Sequence, residues 1–161
     1  WVPNGRIYIE TFRKMVEFEN IVAIKWEPGT DADFEEVFEL ASTVNIIDNT
    51  IDLARGRRLG SRGFTSIGSG AYPPPYVRIW DMLEAGRLDE AQSAWDKVDK
   101  PLRNFYAKVT SKSGGQGRVT KGMSEIMGYP MGSCRPPSLP LSPEEMAELR
   151  GMMEGWGWLD D

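Results

Sequence analysis

The chain has 161 residues, 40% hydrophobic and 27% charged, with a formal net charge of −5, a composition ordinary for a globular protein. Its positive residues are scattered except for Arg55, Arg57 and Arg58, which disfavours a nucleic-acid partner, and no apolar run approaches the ~18–20 residues of a membrane span. A single cysteine, Cys134, rules out an internal disulfide and a multi-cysteine metal site, while the absence of histidine removes Ser-His-Asp and Cys-His nucleophiles, His-ligated zinc and imidazole acid–base chemistry.

The first residue is Trp1 rather than Met, and nothing at the start resembles a signal peptide. The expectation is therefore a cytoplasmic protein and a fragment, a processed chain or a segment with an upstream part missing. Trp1-Val2 reads as the stub of a strand. Ile9, Phe12, Met15 and Val16 recur at three- and four-residue spacing, which predicts an amphipathic helix over 9–18. Ile21-Val22-Ala23-Ile24-Lys25-Trp26 is an apolar, β-branched run and predicts a strand. Phe34, Val37, Phe38 and Ala41 predict a second helix over 33–41, with Asp31 or Asp33 as its N-cap. Val44-Asn45-Ile46-Ile47 and Gly63-Phe64-Thr65-Ser66-Ile67 are the next two strands. Units of roughly twenty residues, strand alternating with helix, argue for βαβ organisation and a parallel sheet.

From Pro73 onward helices take over. Tyr76 to Leu83 leads to Gly86, placed to end a helix in the left-handed conformation. Leu88, Ala91, Trp95, Val98, Leu102 and Phe105 form one apolar stripe along a long helix, and such a stripe is core packing. A Ser- and Gly-rich loop over 111–117 precedes a short helix over 119–127, ended by Gly128. Arg135 to Leu141 is a proline-fixed strap. Ser142-Pro143-Glu144-Glu145 is a helix start with a capping box, after which Met146, Leu149 and Met153 give the buried face. The division expected is a βα part over 1–85 and a helical extension over 86–161.

Lys25 is the informative residue. Alternation along its strand puts Ile21, Ala23 and Lys25 on one side and Val22, Ile24 and Trp26 on the other. The lysine thus emerges at the carboxyl end of an apolar strand, where parallel α/β folds bind ligands and barrels carry catalytic residues. Apolar walls would disfavour its ammonium form and free an amine able to attack a carbonyl. The alternative is a lysine that ends its strand and reaches water.

Ile21-Val22-Ala23-Ile24-Lys25 resembles the Schiff-base strand of the dihydrodipicolinate synthase/N-acetylneuraminate lyase family, in which a lysine at the end of the sixth strand bears the imine. Val44 to Leu53 resembles the seventh strand and its turn, and Gly63-Phe64-Thr65-Ser66-Ile67 the eighth. Glu84-Ala85-Gly86-Arg87-Leu88-Asp89-Glu90-Ala91 is similar to the helix-turn-helix after the barrel. Arg135-Pro136-Pro137 and Leu139-Pro140-Leu141-Ser142-Pro143-Glu144-Glu145 match the C-terminal strap and last helix. The resemblance implies an α/β fold, the C-terminal half of a (β/α)8 TIM barrel (about strands 5–8) followed by a helical region.

The resemblance also implies a class I aldolase or lyase. The amine of Lys25 would condense with pyruvate or a related 2-oxo acid, and carbon–carbon bond formation, cleavage or dehydration would follow, with no metal and no cofactor. Thr65 would be the eighth-strand residue whose backbone faces substrate. Ile47 and Asp48 stand where the family often has Gly-Asp; the branched Ile47 would narrow the site, and Asp48 would line it or cap the next helix. The family's relay tyrosine would fall at or before Trp1, where none stands, and Tyr8 is the nearest tyrosine. Arg6 would bind a carboxylate or face solvent. Gly68-Ser69-Gly70 would be a βα turn or an anion cradle. A catalytically silent member serving as a binding or regulatory subunit is the competing reading.

A closed barrel needs eight strands and roughly 250 residues. Half of one would expose two sheet edges and an inner apolar face, an aggregation hazard. The expected partner is therefore the missing N-terminal half barrel, in cis or in trans, or a second copy of the same half. The resemblance further implies a homo-oligomer, a tetramer or dimer.

Overall fold

The computed structural model describes residues 7–27 and 34–160. Among them the chain forms two compact units, one built from residues up to Thr65 together with Met82–Gln92, the other from Ser66–Asp81 together with the residues from Ser93 onward. Residues 66–81 thus go with the helical unit, so this division departs from a single cut after residue 85. The Trp1-Val2 stub, Arg6 and the two proposed caps Asp31 and Asp33 lie outside the described residues.

The first unit is a parallel three-stranded sheet, β1 (Ala23–Trp26), β2 (Asn45–Asp48) and β3 (Gly63–Phe64), in the order β1-β2-β3. Ala23, Ile24, Lys25 and Trp26 pair with Asn45, Ile46, Ile47 and Asp48, and Ile47 and Asp48 pair with Gly63 and Phe64. Alternation then assigns the faces. Ile24, Trp26, Ile46 and Asp48 are buried. With Phe12 and Ile9 of α1 (Ile9–Met15), Phe34, Val37, Phe38 and Val44, the apolar members of that face form one core. Trp26 stands edge-on to Phe12 at 5.5 Å and donates its indole N–H to the Phe34 carbonyl at 3.1 Å.

The opposite face is open. Ala23, Lys25 and Asn45 are exposed and Ile47 is half-buried. This corrects the expectation of an apolar inner face: small and polar side chains alternate with the buried ones, so the uncovered wall is only partly hydrophobic. Among the described residues the sheet is covered on one side only, whereas parallel sheets are normally covered on both.

The predicted second helix is realised as a five-residue 3-10 helix, Glu36–Leu40. Its apolar positions do point inward, with Val37 and Phe38 buried, but the span is too short for a full amphipathic α-helix. α2 (Leu53–Leu59) is capped by Asp52, whose side chain accepts from the Arg55 N–H, and ends at Gly60 with φ 106°. The three clustered arginines are spent on ion pairs within this unit: Arg55 with Glu35, Arg57 with Glu84 and Arg58 with Asp89.

The second unit holds most of α3 (Pro74–Glu84) and α4 (Leu88–Thr110), with α5 (Gln116–Ile126) and α6 (Pro143–Gly155). The predicted stripe of α4 is buried at Ala91, Trp95, Val98, Leu102 and Phe105 and continues to Val109. Gly86 and Gly128 take positive φ, 74° and 84°, as their helix-ending roles require. Ser142 and Glu145 form the expected capping box with Pro143 in the first turn. α5 packs on α6 at Gly122, where an added Cβ would sit 2.6 Å from Leu141 Cδ1.

The strap is held by one buried side chain, Arg118. Its Nε donates to the Leu139 carbonyl, Nη1 to those of Val109 and Ser113, and Nη2 to the Pro140 carbonyl and the Glu145 carboxylate. All five guanidinium N–H groups are thereby used. Glu145 also receives Lys112 at 2.7 Å.

Candidate active site

The first unit gathers side chains at the carboxyl ends of its three strands, and alternation arranges them in two rows on the open face. The inner row is Lys25, Ile47 and Gly63, direct partners across the ladder. Ile47 covers the glycine beside it: a Cβ at Gly63 would lie 3.2 Å from Ile47 Cδ1. The outer row lies two residues further along each strand. The ladder continues that far, since the Asn49 N–H donates to the Trp26 carbonyl and the Thr65 N–H to the Asp48 carbonyl, both at 2.9 Å.

That outer row is Glu27, Asn49 and Thr65, and the three are bonded to one another. Asn49 Nδ2 donates to Glu27 Oε2, and Thr65 Oγ1 donates to Asn49 Oδ1. A carboxylate only accepts, so the amide nitrogen of Asn49 must face Glu27 and its oxygen must face the hydroxyl of Thr65. One side-chain chain therefore spans all three strand ends, one step of the alternation beyond Lys25.

The expected site residues fare differently. Lys25 is on the face and at the strand end where alternation placed it, and it is exposed. Dry walls around it are not built by the described residues of this chain. Ile47 stands directly opposite it. Thr65 enters the outer row through its hydroxyl, while its backbone N–H is taken by the ladder.

Asp48 is not brought to Lys25. It pairs with Trp26, so its side chain falls on the buried face, 1% exposed, and Oδ1 accepts the Thr50 N–H at 2.7 Å. It is not the helix cap either, since Asp52 serves α2. Instead it packs beneath α2 at Gly56, where an added Cβ would meet Asp48 Oδ2 at 2.0 Å. Tyr8 is exposed at the N-cap position of α1.

The Gly68-Ser69-Gly70 segment is a turn in which the Ser69 hydroxyl donates to the Ser66 carbonyl. The Ser69 N–H goes to Ser66 Oγ, and the Ala71 and Tyr72 N–H groups go to the Gly68 carbonyl. Gly68 is required by its neighbour: a Cβ there would lie 2.1 Å from the Tyr76 hydroxyl. Burial pushes the Tyr76 phenol well above its usual range, opposed by its bond to Ser66.

Glu27 and Asn49 were missed from the sequence as site residues. The signal was present, because the alternation that selects Lys25 and Ile47 selects positions 27 and 49 when carried one step beyond the last apolar residue. Among the described residues no group of three His, Cys, Asp or Glu side chains is placed to hold a metal ion, and no helix is long and apolar enough to cross a membrane.

Comparison with known proteins gives one consistent likeness. The model of the dihydrodipicolinate synthetase family matches residues 2–155. The 4-hydroxy-tetrahydrodipicolinate synthase of Enterococcus faecalis is 28% identical over 147 residues, 91% of this chain and 49% of that protein. Among solved structures, a dihydrodipicolinate synthase from Bacillus anthracis superposes with a TM-score of 0.74 at 24% identity, over 93% of this chain and 50% of the other. The N-acetylneuraminate lyase of Fusobacterium nucleatum gives a TM-score of 0.74 at 17% identity, over 96% and 52%. The structural likenesses show the fold. The chain spans about half the length of the relatives it matches.

Proposed function

The chain belongs to the dihydrodipicolinate synthetase family, and from that premise we propose that it supplies the catalytic half of a class I aldolase or lyase, with Lys25 as the Schiff-base residue. The strands are proposed to be the last of a (β/α)8 barrel, with β1, β2 and β3 as the sixth, seventh and eighth. The observation that carries this reading is the position of Lys25. It stands at the carboxyl end of β1, on the uncovered face, at one end of a row completed by Ile47 and Gly63. In a closed barrel that face lines the interior, and its carboxyl end is where catalytic groups gather.

The substrate is pyruvate or a related 2-oxo acid. The lysine amine attacks its keto carbon, water leaves, and the resulting iminium draws electrons from the adjacent carbon. A carbon–carbon bond can then form or break there, or a hydroxyl can leave. Ile47 sets the width of the site beside the amine, and the Thr65 strand end lines it. Asp48 serves from behind the sheet, bracing the turn after β2. The walls that dry the amine come from the other half of the barrel, in cis or in trans, within an oligomer.

The experiment is borohydride trapping. The full protein carrying this chain, incubated with pyruvate and sodium borohydride, gains one irreversible adduct, mapped by peptide mass to Lys25, and the Lys25→Arg variant gains none. An unlabelled Lys25 in the full protein would refute the proposal.

A further inference from the structure

We propose that Tyr76 is a positioning residue for this reaction: through Ser66 it fixes the turn after β3, and with it the peptide unit that carries the Thr65 carbonyl. The inference rests on the reading of Lys25 and Thr65 above, in which the backbone of Thr65 faces substrate. The Thr65 N–H is already committed to the Asp48 carbonyl at 2.9 Å, so what this backbone can offer is its carbonyl. That carbonyl shares one planar peptide unit with the Ser66 nitrogen. Whatever holds Ser66 therefore limits how the Thr65 oxygen can turn.

Ser66 is held at three points. Its Oγ accepts the Ser69 N–H at 3.0 Å, its carbonyl accepts the Ser69 hydroxyl at 3.3 Å, and its side chain is hydrogen-bonded to the Tyr76 phenol. The phenol is itself fixed. Tyr76 is 5% exposed, with its ring edge-on to Trp95 at 6.2 Å and to Trp158 at 6.0 Å. Its hydroxyl rests against the backbone of Gly68, where an added Cβ would lie 2.1 Å from the oxygen and 3.0 Å from Cζ. All of these residues from Ser66 onward belong to the second unit, so the clamp is internal to it and the step to Thr65 is a covalent one.

The hydroxyl is the part that matters. Phenylalanine would fill the same space between the two tryptophans, but only a phenol reaches the turn. A buried phenol needs a polar partner, and the partner here is the residue that adjoins Thr65. Burial keeps the group a neutral phenol, so it holds the turn without adding a charge to it.

The test measures borohydride-trapped labelling of Lys25 in the full protein against pyruvate concentration, beside urea unfolding of each variant. Tyr76→Phe keeps the ring and is expected to raise the half-saturating pyruvate concentration by roughly fivefold, the worth of one net hydrogen bond. Ser66→Ala is expected to raise it at least as much. Added to Ser66→Ala, the tyrosine change should cost nothing further, because the bond it removes is already gone. A tyrosine that only packs would lower the urea midpoint and leave the half-saturating concentration where it was. That result for Tyr76→Phe, which decides alone if Ser66→Ala does not fold, or effects that multiply in the double variant, overturns this inference and leaves Lys25 in place. A wild-type protein that is never labelled overturns both.

Discussion

Lys25 and Ile47 face each other across β1 and β2, and Ile47 leans over Gly63 of β3. The branched side chain is accommodated because its neighbour has none. The space beside the proposed nucleophile is therefore set by a pair: a large residue on the middle strand and the smallest one on the strand next to it.

Ile47→Ala is accordingly expected to widen the site on the side away from β1. A 2-oxo acid one methylene longer than pyruvate should gain about tenfold in labelling of Lys25 relative to pyruvate, since one methylene in an apolar pocket is worth about 1–3 kcal/mol. Competition between the two acids, read by adduct mass, measures the ratio. An unchanged ratio would mean that Ile47 does not border the bound acid.

Gly56→Ala sets two effects against each other. Alanine favours a helix interior by about 1 kcal/mol, but its methyl would be driven into Asp48 Oδ2 at 2.0 Å. Asp48 has little room to yield, being buried in β2 with its other oxygen held by the Thr50 N–H. Overpacking of this kind costs about 1–3 kcal/mol, so a net loss of stability is expected in urea unfolding. A stabilised variant would show that α2 can lift away from the sheet at no cost.

Removing Arg118 should loosen the strap. Arg118→Met strips one hydrogen bond from each of four carbonyls and leaves the buried Glu145 with Lys112 as its remaining cation. Breaking a buried ion pair from one side costs about 3–5 kcal/mol. Arg118→Lys is expected to restore little, because one ammonium carries three donors where five are used. Urea unfolding measures the loss, and protease cleavage between Arg135 and Leu141 should rise with it. Resistance equal to wild type would show that the prolines alone hold the segment.

The same cluster predicts acid sensitivity. The Lys112 ammonium, then the Ser142 N–H, and also Arg118 hold the Glu145 carboxyl below its ordinary value of 4.5. A lowered pKa in the folded state means that the unfolded chain binds the proton more readily. The resulting stabilisation is complete above 4.5 and is lost as the pH falls from there through the lowered value. Glu145→Gln should flatten that part of the stability–pH curve. The Lys112 share should weaken in salt, since that side chain is largely exposed. A variant with the same acid slope as wild type would assign the sensitivity to other carboxylates.

Much of the architecture was legible because local chemistry and packing agree. Ser142, Pro143 and Glu145 cap a helix in any context, and the α4 stripe has one spacing and one meaning. The face of β2 was harder to read. Ile46 and Ile47 are consecutive apolar residues, so alternation within the strand does not say which of them faces inward. Pairing with Lys25 settles it, and pairing is a tertiary fact. Asp48 followed the same error, since a polar residue after an apolar run invites a role in the site, whereas register turned it beneath α2. The 3-10 helix was overestimated for a related reason: its apolar positions carry helical spacing, but packing against β2 and α1 needs only one and a half turns of it.

The exposed wall of Ala23, Lys25 and Asn45 bears on how such a barrel is put together. A greasy lining would have to be sealed as soon as it formed, which would tie the folding of each half to the other. A wettable lining removes that urgency. In the barrel proposed above, these strands would align the lysine while water still fills the space opposite, and closure of the cylinder would be a docking event against a wettable lining.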